Sequence, residues 1–135
     1  TLVTIAGPIS NLLIALLCSI FTIALYYIMA SVNPLEGSFG FEFLNYMLKM
    51  FYAGIILNVS LAVFNMIPIP PLDGSHVLAN ILPDDLAMRY RSIGFMGIFI
   101  ILAVFNFVPG FSHVFIGIIS FVAKPYLNLV DLFIR

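Results

Sequence analysis

Charge is scarce in this chain. Only 8% of its 135 residues are Asp, Glu, Lys or Arg, against roughly 25% in a soluble domain. Hydrophobic residues fill 63% of the sequence, and the mean hydropathy is +1.19. A water-soluble globule of this size cannot hide so much apolar surface, so the solvent must be lipid. The net charge of −1 leaves no electrostatic footprint for nucleic acid. Cysteine is nearly absent too. Cys18 stands alone inside an apolar run, which excludes an intrachain disulfide and a thiolate metal site. It reads as a small packing residue. The start of the sequence lacks an initiator Met and a basic leader region. The first apolar run is therefore not a signal peptide of the usual layout, and the sequence is expected to be a piece of a longer protein.

What is present is a series of long apolar runs. Residues 9–30, ISNLLIALLCSIFTIALYYIMA, carry no charge. About 20 apolar residues cross a bilayer as a helix. Pro8 precedes the run, where a missing N–H costs nothing, and Tyr26 and Tyr27 suit the interface at its far end. A connector is expected over 32–49, with the turn residues Asn33, Pro34, Gly37 and Gly40. Within it Phe39, Phe41 and Phe43 alternate with small or polar residues, which suits either a short strand or an interfacial turn. The second run, 50–72, begins as an ordinary span and ends as MIPIPPL. Pro68, Pro70 and Pro71 remove backbone donors and hold the chain extended there. Residues 73–91 form a polar connector, followed by a span at 92–108, the break Pro109-Gly110, and a last span interrupted by Lys124-Pro125.

The expected fold is thus an all-α membrane protein of about four transmembrane helices, near 9–31, 50–69, 92–108 and 111–134. One helix ends in an extended Pro-rich segment before an Asp-Gly turn. The chain, 1–135, reads as a single transmembrane domain. Four spans put both ends on one side, together with Arg89, Arg91 and Arg135, and Lys124 close by. Lys49 is the lone base on the other side. The positive-inside rule then makes this a multi-pass cell-membrane protein with 73–91 in the cytoplasm.

The unusual segment is NMIPIPPLDGSH, residues 65–76. An ionisable group beside a span is expensive to bury without a partner. Asp73 ends an apolar run behind a proline-stiffened arm, and Gly74 permits close backbone approach. A hard oxygen held at fixed depth suits a metal ion. An Asp-Gly pair is also an ordinary turn in headgroup water, and by spacing alone the turn is the simpler reading. His76 lies at a helical i,i+3 spacing from Asp73, and His113 sits just beyond Pro109-Gly110. Both read more simply as interfacial residues than as ligands. Asn65 and Asn11 are amides inside apolar spans, each an interhelical clamp or a substrate contact. The small residues of AGPISN, 6–11, suit close helix packing.

Taken together, AGPISN and NMIPIPPLDGSHVL on successive membrane helices resemble the site-2 protease family of intramembrane zinc metalloproteases, peptidase family M50. The resemblance is to the compact bacterial and archaeal branch without an inserted PDZ domain. It implies that Asp73 is the third protein ligand of a Zn2+ ion and that Asn65 hydrogen-bonds the substrate during catalysis. It implies that Pro68, Ile69 and Pro70 belong to an extended edge against an unwound transmembrane protein substrate. The departure is the missing HExxH, in which two His bind zinc and the Glu is general base. With His only at 76 and 113, the chain alone is expected to be inactive. The partners implied are the lipid bilayer, a transmembrane substrate, and an upstream HExxH-bearing helix of the same protein. Two other readings stay open. One is a non-catalytic membrane scaffold derived from the protease. The other is a transporter segment with a Pro-broken helix, for which the paired broken segment is lacking.

Overall fold

The computed structural model describes residues 2–134, and the elements named are helical: α1 (Leu2–Val32), α2 (Phe39–Asn65), α3 (Asp73–Ala79), α4 (Asp84–Ser92), α5 (Met96–Phe107) and α6 (Phe111–Ile134). Thr1 and Arg135, which enter the expectations about the chain start and the charge balance, lie outside the described residues. The protein is an all-α membrane protein. Three helices are long and apolar enough to cross a bilayer, and a bent α4–α5 pair makes a fourth if counted as one broken span.

α1 and α2 form an antiparallel hairpin. Cys18 meets Gly54, and the Phe21 and Phe51 rings stack with centroids 5.1 Å apart. α6 completes a three-helix bundle whose core is Ala15, Ile55, Val59, Ala123 and Val130. Ala15 and Ala123 let the helix backbones approach while Ile55, Val59 and Val130 fill the space between them, which is how membrane helices associate when lipid is as apolar as the side chains. Polar side chains within the spans satisfy themselves locally. Ser19, Thr22, Asn58 and Ser60 each donate to the carbonyl four residues back, at 2.7–2.9 Å, so these four polar groups find partners within their own helices. Large apolar side chains cover the outside: Phe99 and Phe121 are about 70% exposed, as a lipid-facing surface requires.

Four expectations need correction. The second span starts at Phe39, not near 50: Ser38 caps it by accepting from the Phe41 N–H, and Phe39, Phe41 and Phe43 lie in its first turns, neither strand nor turn. Pro8 lies inside α1, and Pro125 lies inside an uninterrupted α6. A proline costs a buried helix less in a bundle, where neighbouring groups accommodate the freed carbonyl. The span expected at 92–108 is only 12 residues of helix, α5. At 1.5 Å per residue that is about 18 Å, short of a bilayer core of about 30 Å. It joins α4 at a 79° bend. Finally, 73–91 holds two helices. α4 has Asp84 and Asp85 in its first turn and Arg89 and Arg91 in its last, the arrangement its macrodipole favours.

Candidate metal and substrate site

The site lies where the α1–α2 hairpin ends at the proline segment. α2 stops at Asn65, because Pro68 and then Pro70 and Pro71 cannot continue the hydrogen-bond ladder. The chain resumes as helix at Asp73, the first residue of α3, with Leu72 in the extended conformation as its N-cap. Residues 66–72 are non-helical, as the prolines demand, and the Pro70–Pro71 peptide is cis.

The segment is non-helical, as expected, but it closes into turns where an extended edge was expected. The Met66 and Ile67 N–H groups donate to the Val63 and Phe64 carbonyls at 3.2 and 3.1 Å. Ile69 donates to Ile67 at 2.9 Å, and Leu72 donates to Ile69 at 3.0 Å. The prolines have no N–H to offer. Each backbone donor of 66–72 is therefore either absent or already used. The segment has no N–H to offer an approaching strand, and its Ile67 and Ile69 carbonyls are already engaged within it. The Pro68 carbonyl accepts from the Tyr90 hydroxyl of α4 at 2.6 Å.

Glycines set the depth of the arm. Gly74 lies against the Met66 and Ile67 carbonyls, where a side chain would collide with backbone. Gly97 of α5 receives the Pro70 carbonyl in the same way and touches Ile69. Gly7 of the AGP sequence faces the Asp73 carboxylate: a Cβ there would occupy the space of its Oδ2. Asp73 is thus half-buried, with one oxygen pressed to the start of the first span. Pro8, Ile9 and Leu12 of α1, Ala62 and Val63 of α2 and Met66 just beyond it line an apolar cavity of about 350 Å³.

The structure brings Asp73 and the AGP helix together. Asn65 is half-buried at the C-terminal end of α2, and no side-chain hydrogen bond ties it to another described residue. Pro68 is exposed, Ile69 half-buried, and Pro70 buried against Gly97. His76 follows Asp73 in α3 but is exposed, and His113 is exposed at the start of α6. Among the described residues no three His, Cys, Asp or Glu side chains gather to hold a metal ion. For zinc the donor chemistry fits at one position: Asp73 supplies a hard oxygen that a glycine leaves room for. A catalytic zinc takes about three protein ligands.

Sequence reasoning missed Tyr90 and Gly97. A tyrosine on a polar helix 17 residues beyond Asp73 carries no local signal. A lone glycine inside an apolar run, Gly97, does hint at close packing, without saying against what.

Comparison with known proteins gives two findings. The model of the family described as "Peptidase family M50" matches residues 38–105, from the cap of α2 through most of α5. The protein of Bacillus subtilis (strain 168) named "Putative zinc metalloprotease YwhC" is 30% identical over 127 residues. That alignment covers 94% of this chain and 51% of the relative, so the chain spans about half the length of the curated relative it matches. No solved structure matches the chain.

Proposed function

Since the chain belongs to peptidase family M50, we propose that it forms part of the core of a zinc-dependent intramembrane endopeptidase, with Asp73 as one zinc ligand. The observation that carries this reading is the pairing of the Asp73 carboxylate with Gly7. The AGP helix and the LDG arm are 66 residues apart in sequence, yet one gives up its side chain where the other places an oxygen. The remaining ligands and the general base come, in this reading, from an HExxH helix outside this sequence. Bound beside Asp73, zinc would lower the pKa of its water and polarise a scissile carbonyl.

The chain's own residues do the rest. Asp73 holds its oxygen at a depth set by Gly7 and Gly74. Asn65, one proline-rich turn away, is a free amide that hydrogen-bonds the substrate. Pro68 and Ile69 flank the substrate strand, with the second lone pair of the Pro68 carbonyl as an acceptor for its N–H groups, and Pro70 braces them from its place against Gly97. The substrate is then a transmembrane segment that has unwound enough to expose its N–H groups, since a helix keeps them for itself. Arg89 and Arg91 at the end of α4 support a cytoplasmic position for 73–91. Labelling of Asp84→Cys from the outside only would reverse that orientation.

The test is made on the full-length protein in detergent, reading zinc content and cleavage of a single-span peptide. Asp73→Ala is expected to lose bound zinc and to lower cleavage by more than about 100-fold, beyond the 10–100-fold typical of groups one step removed from a metal. Asn65→Ala is expected to lower turnover with zinc retained. Equal zinc and equal cleavage in wild type and Asp73→Ala would end this reading. An intact Asp73 arm in a full-length protein without HExxH, binding no zinc, would instead identify a non-catalytic scaffold.

A further inference from the structure

Among residues 67–70 the backbone torsions are not equally restrained. Ile67, Ile69 and Pro70 each precede a proline, which biases them to the extended region. Pro68 has its φ fixed by its own ring, but Ile69 follows it, so nothing in the sequence restrains its ψ. That torsion decides where the Pro68 carbonyl points. It is at this carbonyl that the Tyr90 hydroxyl donates, at 2.6 Å and across 22 residues of sequence.

The partner is well placed to hold rather than merely touch. Tyr90 sits in the last turn of α4, a helix whose charges at both ends favour it. At the 79° bend that follows, the chain enters α5, where Gly97 takes up the Pro70 carbonyl. The bent pair therefore grips the proline segment at two carbonyls two residues apart. Asp73 is held by different contacts, Gly7 on its carboxylate and Gly74 against the Met66 and Ile67 carbonyls. Loosening the grip of Tyr90 disturbs the substrate side of the site and leaves the ligand side in place.

We infer that Tyr90 is a positioning residue for substrate binding, fixing the direction of the Pro68 carbonyl and with it the shape of the segment that receives the substrate strand. The inference rests on the protease reading of the site, because the strand it positions is the one proposed to meet substrate.

The experiment is steady-state cleavage of a fluorogenic single-span peptide by the full-length protein, comparing wild type, Tyr90→Phe and Asp73→Ala. Tyr90→Phe removes one oxygen and leaves the ring, so the melting temperature in detergent should stay within a few degrees. The expected result is a KM raised about three- to tenfold, the scale of one uncharged hydrogen bond, with kcat and bound zinc unchanged. A KM within twofold of wild type, or a lowered KM, overturns the inference whatever kcat does. Failure of the protease reading shows separately, as cleavage and zinc that survive Asp73→Ala.

Discussion

The bundle of α1, α2 and α6 and the arm formed by residues 66–97 handle the same difficulty, polar backbone and side chains near a membrane, in different ways. In the bundle, Ser19, Thr22, Asn58 and Ser60 bond carbonyls of their own helices, and side chains such as Ile55 and Val59 fill the core. Nothing there depends on a group far away in sequence except for packing. In the arm, the prolines leave only four backbone donors, which close short turns, and other carbonyls are met by Gly74, Gly97 and Tyr90 from the helices that follow. A bundle position tolerates a change that its side-chain neighbours can absorb. An arm position meets backbone, which moves aside only at a larger cost. The difference teaches where function can be placed: the rigid, sequence-remote contacts hold Asp73 and the proline segment before it, and the adaptable ones carry the span.

Glycine-to-alanine exchanges break or sharpen that contrast. The largest effect is expected for Gly97→Ala, whose new methyl would overlap the Pro70 carbonyl. The backbone must shift, at a cost of about 1–3 kcal/mol, the range for overpacking a well-filled site, and substrate cleavage should fall with it. Reversible unfolding in mixed micelles measures the stability change, and one below about 0.5 kcal/mol would remove the distinction between arm and bundle. Gly54→Ala is expected to cost less, under about 1 kcal/mol, below the usual overpacking range. Its methyl would approach only the Cys18 Sγ, 2.9 Å away, and that side chain can turn. Gly117→Ala meets nothing within 4 Å. There the helix propensity of alanine should prevail, with a gain of about 0.5–1 kcal/mol. Smallest of all, Asp84→Ala changes an exposed residue of α4. Its stability effect should stay within about 0.5 kcal/mol, as at ordinary surface sites, and cleavage should be unchanged. Loss of cleavage in Asp84→Ala would place chemistry where the structure shows a solvated helix.

Much of the architecture was legible because lipid makes a simple demand. A charge-free run of 20 or more apolar residues has no soluble alternative, so α1 and most of α2 follow from composition, and α6 from an apolar run that only Lys124 and Asp131 interrupt. The break after Asn65 follows from three prolines in four residues, whatever the surroundings. Helix boundaries were less legible. Hydropathy drops at Glu42 and Lys49, yet α2 runs through both from Phe39, because a cap at Ser38 and the helical ladder outweigh two exposed charges near an interface. The third span was overread for the converse reason: hydropathy is uniform over 92–108, and only the bend between α4 and α5 shows that the apolar run does not make one straight helix.

The residue types of the site were visible in the same way. Asp73, Asn65 and the AGP sequence stand out because polar groups and small residues are costly or unusual in an apolar span. Their arrangement was not. Sequence alone determined that this is a helical membrane protein with a proline-broken span ending in a carboxylate, because those properties depend on local chemistry and on the solvent. Only the tertiary structure decided that the proline segment folds back on its own N–H groups, that Gly7 faces Asp73, and that Tyr90 and Gly97 hold two of its carbonyls. The contacts of Gly7, Gly97 and Tyr90 join residues 22 to 66 positions apart, and no local preference specifies them. They exist because helices packed in a bilayer must satisfy backbone carbonyls with whatever donor or gap the neighbouring element brings.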